Sequence, residues 1–397
     1  MQLNAASLPP IPGPPPADLL AALAAAHPDA EWALLHAADG QSASVLAGNP
    51  LVTLEVDPHG AAHLATHSGF ALPPPLHPLT ALQTALDTFR WTPPHPLIGW
   101  LGFLSYHLAH TLEAIGAPRP DPSPEWPLLR FTLYRHYLLH DPLTGQYTPI
   151  ALDDRPDLAA ALLNVAAAPR FVDTPARLLE APPEGSYAAM VRRAQAYIAA
   201  GDIYQANLAQ RWSYFAAAPP HEIYRRLCAR SPAPYAACLQ FRDHAGVPRH
   251  LLSASPELFL RLQEGRAITR PIKGTRPRDL DDAARDQALA DELLASPKDH
   301  AELAMIVDLL RNDLGRIARY GSVDVAAART LERHPTVWHT VATIAARLRE
   351  RATLADLLRA TLPGGSITGA PKIRACQIIN DLEPHPRNIY CGHIGVI

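Results

Sequence analysis

Cysteine is scarce in this chain of 397 residues, which contains only Cys228, Cys238, Cys376 and Cys391. No two of them form a C-x-x-C pair, and none lies at zinc-finger spacing from a pair of histidines. The sequence therefore excludes a disulfide-stabilised scaffold and a zinc ribbon. Four incidental, reduced thiols are typical of a cytosolic protein.

An excess of positive charge is also absent, because 35 basic and 38 acidic residues leave a net charge of −3. Non-specific nucleic-acid binding requires a basic surface, so no nucleic-acid partner is expected. No apolar run approaches the ~20 residues of a membrane span, and the first residues lack the basic and apolar regions of a signal peptide. These absences predict a cytoplasmic protein with no membrane partner.

The chain is long, and it is rich in proline. The length predicts two or three domains of roughly 100–200 residues each. The 42 prolines are dense in the first half, where they separate short apolar segments such as WALLHA and LVTLEV. Proline ends helices and central strands. We therefore predict an N-terminal region over 1–170, made of strands with occasional helices such as 80–89 (N-cap Thr80), and a second domain over 171–397.

The second half shows a clearer periodicity. Apolar residues recur at helical spacing between Ser186, a candidate N-cap, and Gly201, a candidate C-terminal stop. The run IYQANLAQRW then alternates, which predicts a strand whose polar face, including Gln205, is either solvated or part of a site. Further helices are predicted over 280–294 and 296–321, the latter with Ser296 as N-cap and Pro297 in its first turn.

Two single residues stand out in this half. Lys273 lies between an isoleucine and a glycine in RPIKGTRPR, whereas a loop lysine is ordinarily just solvated. Glu302 lies on the apolar face of the predicted helix 296–321, where a carboxylate is costly unless it is paired, protonated or bound to a metal. A salt-bridged edge position and a functional role both remain open for Glu302.

A glycine-rich turn precedes the last helical pattern, in LPGGSITGAPKIRACQII. Such a turn at a helix N-terminus offers unpaired N–H groups and a positive dipole to an anion, and Lys372 and Arg374 add local charge. It is not a P-loop, because Ala-Pro follows Gly369 where a P-loop requires Lys and then Ser or Thr. The pattern indicates an anion-binding turn, with a simple helix cap as the alternative.

Six stretches occur in a fixed order: GDIYQANLAQR, SASPELF, RPIKGT, DHAELAMIVDLLRNDLGR, HPTVWHTVATI and LPGGSITGAPKIRACQIINDLEP. Together they resemble the chorismate-utilising enzymes, which include the anthranilate, aminodeoxychorismate, isochorismate and salicylate synthases. The resemblance is dense from about residue 185 to 397 and diffuse before that. It implies an α+β fold in which two large antiparallel β-sheets pack together with helices on the outside.

Two positions indicate the branch of the family. The water-adding members carry a lysine where this chain has Gln205, and glutamine has no basic nitrogen with which to activate water. Anthranilate synthases typically read PIAGT where this chain reads PIKGT, so the motif resembles the aminodeoxychorismate synthases. The resemblance implies amination of chorismate to 4-amino-4-deoxychorismate in para-aminobenzoate and folate synthesis. Anthranilate synthesis is the second interpretation, and an inactive remnant or amidotransferase-binding protein is the third.

The resemblance also implies roles for particular residues. Lys273 would attack C2 of chorismate, Glu257 would protonate the departing C4 hydroxyl, and His339 would assist proton transfer unless it is a buried structural histidine. A lysine has a pKa of about 10.4, which burial or nearby cations such as Arg270, Arg276 and Arg278 would have to lower. Glu302 would help to hold Mg²⁺. A separate glutamine amidotransferase subunit would supply ammonia. Positions implied to contact substrate are Gln205, Gly274, Thr275, Gly365, Ser366, Thr368, Lys372 and Tyr390.

The chain departs from the family pattern in two places. It ends at YCGHIGVI, whereas family members continue with an I-R-T motif, a G-A-G-I-V turn and a helix carrying further glutamates. We therefore expect a catalytic domain that is truncated at its C-terminus, which leaves open whether these residues suffice for activity. Ala37 and Ala38 stand where members carry a serine that contacts tryptophan, so no tryptophan site is expected.

Overall fold

The structure is a computed structural model, and it describes residues 2–66, 72, 77–93, 95–120, 125–168, 171 and 175–397. Nine α-helices lie in these ranges: α1 Pro16–Ala26, α2 Pro78–Thr88, α3 Pro156–Ala161, α4 Ser186–Ala199, α5 Pro220–Arg230, α6 Ala283–Ala295, α7 Pro297–Gly315, α8 Leu354–Thr361 and α9 Lys372–Leu382. None of these helices is long and apolar enough to cross a membrane.

The strands of the described residues include most of the predicted apolar segment WALLHA, in β4, and all of LVTLEV, in β5. They are β1 Gln2–Asn4, β2 Ala6–Ser7, β3 Ile11–Pro12, β4 Trp32–His36, β5 Ser44–Val56, β6 Ala62–Thr66, β7 Arg90–Thr92, β8 Trp100–Leu104, β9 Leu129–Asp141, β10 Gln146–Ala151, β11 Arg177–Glu180, β12 Gln205–Ala206, β13 Ser213–Phe215, β14 Tyr235–Arg242, β15 Pro248–Ser255, β16 Leu258–Gln263, β17 Arg266–Arg270, β18 Ile272–Pro277, β19 Asp324–Arg333, β20 Val337–Arg347, β21 Gly369–Ala370 and β22 His393–Val396.

Two sheets organise the described residues. The larger has 11 strands, with the main order β15-β14-β4-β5-β9-β10-β2, and β3, β6, β8 and β22 attached at its sides. The smaller has 5 strands, in the order β16-β17-β20-β18 with β19 also on β20. Strands β4–β5 and β18–β20, among others, pair antiparallel. The predicted α+β fold with two large antiparallel sheets is therefore confirmed.

The larger sheet joins both predicted regions of the chain. Strand β14 pairs with β4, placing Cys238 opposite Leu34, and β22 pairs with β8, placing Ile394 opposite Phe103. These pairings bridge about half the chain or more, so no local pattern encodes them. The boundary at 170/171 stays a prediction.

Helix α7 packs on the smaller sheet and positions part of the site. Its side chains Leu303, Ile306 and Leu310 are buried, in one apolar cluster with Ile344 and Ala346 of β20. Burying side chains of this size contributes about 1.5–3 kcal/mol each. Because this face is fixed against the sheet, the position of Glu302 at the edge of the same helix is fixed as well.

Several local predictions need correction. Helix α7 begins at the predicted Ser296 cap, whose side chain accepts from the backbone N–H of Asp299, but it ends at Gly315 rather than Gly321. The chain leaves the helix because Ala318 pairs with Leu348 and the next backbone N–H, of Arg319, bonds to the carbonyl of Arg347. Tertiary hydrogen bonds thus override a continuing helical pattern.

Further boundaries differ from the sequence pattern, and α4 is capped by Gly185 rather than by Ser186. Helix α2 is capped by His77, whose Nδ1 accepts from the backbone N–H of Leu79, and not by Thr80. The predicted strand in IYQANLAQRW is reduced to Gln205–Ala206. The strand is short because its partner β21 has only two residues, and the next polar backbone groups bond to a loop and a side chain instead.

Candidate active site

Lys273 lies on strand β18, and its side chain is mostly buried. Its side chain is 15% exposed, and its Nζ is 3.8 Å from Oε1 of Glu302. The same Nζ donates a hydrogen bond of 3.0 Å to the backbone carbonyl of Ser366. Three motifs that are far apart in sequence therefore meet at one ammonium group.

Gly274 is required next to this lysine for two physical reasons. Its φ is +85°, in the left-handed region that side chains with a Cβ adopt at a cost. A Cβ built there would also lie 2.9 Å from Cδ1 of Leu293, and 3.0 Å from both Cβ of Asp299 and Oγ1 of Thr340. The backbone beside Lys273 is thus held against α6, α7 and β20.

Glu257 lies in the turn between β15 and β16 and interacts with Lys273 and Ser366. Burial raises the pKa of its carboxyl, while a hydrogen bond from Ser366, the positive charge of Lys273 and the Ile272 backbone oppose that rise. A carboxyl whose pKa is raised keeps its proton to higher pH. The raised pKa is compatible with proton donation by Glu257, and that role stays a prediction.

Gln205 and Glu302 are joined by a hydrogen bond between their side chains. Nε2 of Gln205 donates to Oε1 of Glu302 over 3.0 Å. The amide oxygen of Gln205 is buried, and no described residue donates to it. Magnesium prefers carboxylate and carbonyl oxygens and usually keeps several waters. A carboxylate that is 30% exposed, beside an unpaired amide oxygen, fits such an ion.

The glycine-rich segment forms a single 3-10 turn, Gly365–Ile367, ahead of α9. Gly365 packs so closely that a Cβ would lie 2.7 Å from Cδ2 of Leu309 on α7. Thr368 is fully buried, and its hydroxyl donates to the carbonyl of Gly364 over 2.9 Å. In the described residues, then, Thr368 shapes the turn, while Ser366 reaches Lys273 and Glu257.

Arg387 fixes this turn to the strand that carries Gln205, and sequence reasoning missed it. The buried guanidinium donates to the carbonyl of Ile367 over 2.8 Å, to the carbonyl of Asn207, and to the carboxylate of Glu383. Glu383 in turn accepts from the backbone N–H of Ala209 over 2.8 Å. An arginine in the proline-flanked PHPRN segment gives no local signal of burial.

His339 lies on β20 directly opposite Thr275 of β18. Its Nδ1 and the Thr275 hydroxyl are 2.9 Å apart, and its ring meets that of His334 edge-on at 5.0 Å. Burial, and then the charge of His334, lower its pKa. The structure therefore favours a neutral imidazole that is already hydrogen-bonded to Thr275.

Two predicted substrate contacts lie apart from Lys273. The ammonium of Lys372 donates to Asp313 and to the carbonyl of Thr361 in a buried setting, so two of its three N–H donors are used within the fold. Tyr390 is more than half exposed, in the turn before β22. Neither residue is brought to the lysine by a described contact, and their substrate roles stay predictions.

The three arginines that flank Lys273 in sequence are each paired with carboxylates of other elements. Arg270 pairs with Glu332, Arg276 pairs with Glu292 and Asp299, and Arg278 pairs with Asp286. Each positive charge is thus matched by a carboxylate on a neighbouring element. Lys273 itself lies 3.8 Å from the carboxylate of Glu302.

The fold and this group of side chains define a chorismate-binding enzyme, and comparison with known proteins supports that class. A family model described as chorismate binding enzyme matches residues 51–397, so the chain belongs to this family.

Curated relatives indicate a particular branch. The chain is 41% identical over 328 residues to aminodeoxychorismate synthase component 1 of Klebsiella aerogenes, covering 81% of this chain and 71% of that protein. It is 38% identical over 384 residues to the protein of the same name from Salmonella typhimurium, covering 92% and 81%. A crystal structure of anthranilate synthase component I from Streptococcus pneumoniae matches with a TM-score of 0.75, at 29% identity, over 89% of this chain and 80% of that one.

Proposed function

We propose that this protein aminates chorismate to 4-amino-4-deoxychorismate, with Lys273 as the nucleophile. The observation that carries the proposal is the position of the Lys273 ammonium, 3.8 Å from Glu302 and beside Glu257, a carboxyl with a raised pKa. The names of the curated relatives support the same reaction.

The reaction needs a nucleophile and a general acid that act on the same substrate ring. The neutral amine of Lys273 forms a bond to C2, the two ring double bonds shift, and the C4–O bond breaks. Glu257 gives its proton to the departing hydroxyl, which leaves as water. Ammonia then bonds to C4, the double bonds shift back, and the C2–N bond to Lys273 breaks. The new ammonium group at C4 returns a proton to the Glu257 carboxylate, which regenerates the free enzyme. Covalent catalysis thus replaces one difficult displacement by two easier ones.

The remaining predicted residues bind and orient. Glu302, with the amide oxygen of Gln205 nearby, would hold Mg²⁺, which when bound would neutralise a carboxylate of the dianionic substrate. Gly274, Thr275, Gly365 and Ser366 would supply close-packed backbone around the ring. His339 holds Thr275, and Thr368 shapes the turn.

Glutamine at position 205 also argues against water addition. Its amide has no basic nitrogen, and its N–H₂ group already donates to Glu302. Anthranilate synthesis is the second candidate, because the anthranilate synthase structure covers most of this chain. The identity of the aminated product distinguishes the two reactions.

Ammonia would come from a glutamine amidotransferase subunit in the cytoplasm. The relatives are named component 1, which implies a second component. If the chain instead only docked that subunit, it would bind the partner and leave chorismate unchanged.

The sequence allows a clean test of the nucleophile, because its only lysines are Lys273, Lys298 and Lys372. Purified protein is incubated with chorismate, Mg²⁺ and ammonium; products are separated by chromatography with mass detection, and denatured protein is analysed for an adduct. We expect 4-amino-4-deoxychorismate, and an adduct on the peptide containing Lys273. Lys273→Ala should lose both, whereas Lys298→Ala, at an exposed position on α7, should retain both. Unchanged chorismate, or an adduct that survives Lys273→Ala, would contradict the proposal.

A further inference from the structure

A second cluster of polar side chains lies away from the candidate active site, where two hairpin turns of the larger sheet meet. Asp57 follows β5, His63 lies on β6 just after the turn, and His244 lies in the turn between β14 and β15. None of the three contacts a residue assigned above to chorismate chemistry. The cluster therefore needs an explanation of its own.

The three side chains converge on one small volume. Oδ2 of Asp57 is 3.1 Å from Nε2 of His63. The rings of His63 and His244 are stacked, with centroids 4.1 Å apart and planes inclined by 11°. One potential ligand atom from each of the three residues lies within 4.8 Å of the other two. Small side-chain rotations would bring these atoms to the separations found around one metal ion.

The surrounding hydrogen bonds orient the ligand groups. Oε1 of Glu55 lies 2.8 Å from Nδ1 of His244 and also accepts from the backbone N–H of His244 over 2.8 Å. A carboxylate at Nδ1 favours the tautomer in which Nε2 carries the lone pair. Oδ1 of Asp57 accepts the backbone N–H groups of His59 and Ala61, both over 2.9 Å, so a metal ion would replace the proton shared between Oδ2 and Nε2 of His63.

A carboxylate behind a histidine is the arrangement found around protein metal sites, where it fixes the ring and raises its basicity. Glu55 is itself held in place, because Arg130 donates to its other oxygen over 2.7 Å and also binds Glu31. An Asp57–His63 ion pair alone would explain neither the stacked position of His244 nor the buried Glu55 behind it.

Charge also favours a dication. The carboxylates of Glu31, Glu55 and Asp57 and the guanidinium of Arg130 lie in one connected network. Three negative groups and one positive group leave two negative charges, which a divalent ion would neutralise. The side chains of His63 and His244 are 41% and 34% exposed, so an ion can reach them from solvent.

We propose that Asp57, His63 and His244 bind a transition-metal dication such as Zn²⁺, with water in the remaining position. Two imidazoles and a carboxylate suit zinc rather than magnesium or calcium, which prefer oxygen ligands. The ion links the β5–β6 hairpin to the β14–β15 hairpin and so fastens two edges of the larger sheet. This role is independent of chorismate chemistry.

The test uses the full chain after treatment with a chelator, in buffer with excess Mg²⁺ to occupy the candidate active site. Zn²⁺ binding is measured by titration calorimetry, and Co²⁺ is used as a spectroscopic substitute. We expect one tight site per chain and a Co²⁺ spectrum typical of low coordination number. His63→Ala and His244→Ala should each abolish that site.

Two further variants separate ligation from folding. Glu55→Gln keeps the side-chain shape and should weaken binding about 10-fold or more through loss of the supporting carboxylate. His59→Ala lies in the same turn with a largely exposed ring, and should bind Zn²⁺ like the parent protein. Circular dichroism confirms that each variant is folded. A parent chain that takes up no stoichiometric Zn²⁺, or a folded His244→Ala variant with unchanged affinity, would overturn the proposal.

Discussion

Replacing Gly274 by alanine tests how tightly the backbone beside Lys273 is packed. The left-handed φ of +85° alone costs a residue with a Cβ about 1–2 kcal/mol. The added methyl would also lie 2.9–3.0 Å from Leu293, Asp299 and Thr340, and overpacking of this kind costs about 1–3 kcal/mol. Gly274→Ala should therefore lower the free energy of unfolding by about 2–5 kcal/mol.

A matched control isolates the crowding from the backbone conformation. Gly265, in the turn between β16 and β17, has φ +70°, and no described atom lies within 4 Å of a Cβ built there. Gly265→Ala should cost only about 1–2 kcal/mol. Urea unfolding followed by the fluorescence of the 6 tryptophans gives both values.

Gly274→Ala should also reduce product formation, because Thr340 donates to the carbonyl of Lys273 and would be displaced. Gly265→Ala should leave product formation unchanged, since it lies outside the site. Equal unfolding free energies for the two variants would refute the close packing inferred at Gly274.

Two other perturbations follow from charge and burial. Because the pKa of Glu257 is raised in the folded state, its contribution to stability is full at low pH and is lost as pH rises through that folded pKa. Glu257→Gln should abolish this part of the pH dependence in urea unfolding, and lower the rate of chorismate turnover; an unchanged pH profile would contradict the assignment. Arg387→Met leaves the carboxylate of Glu383 buried without its partner, which should cost about 3–5 kcal/mol, whereas the double variant with Glu383→Gln should recover part of that loss. A single variant as stable as the parent would exclude the bridging role.

The parts of the fold that sequence predicts well are those encoded within a few residues. Ser296 and Pro297 mark the start of α7 because a cap and a first-turn proline act on adjacent backbone groups. Strands such as β4 and β5 follow from short apolar runs between turns. The end of α7 was not predictable in this way, since it depends on Ala318 pairing with Leu348, which lies just after the end of β20.

The same distinction, between what a local pattern encodes and what distant contacts determine, applies to the candidate site. Lys273, Glu257 and Glu302 could be identified because their motifs resemble a known family, and the structure brings them together. The buried pairing of Lys372 with Asp313 could not be identified, because the partners are 59 residues apart and neither pattern differs from a solvated one. A sequence motif thus identifies the candidate site residues more reliably than it identifies the contacts that each of them makes.

Arg387 shows why the site needs the whole C-terminal half of the described chain. The short pairing of β12 with β21 brings Gln205 to the site, and it requires glycine at position 369, where a Cβ would lie 2.1 Å from the carbonyl oxygen of Gln205. Two residue pairs are too few to hold a strand in register by themselves. Arg387 and Glu383 supply the additional bonds, on the carbonyl of Asn207 and the N–H of Ala209. The position of Gln205 beside Glu302 therefore depends on a buried ion pair that contacts neither residue.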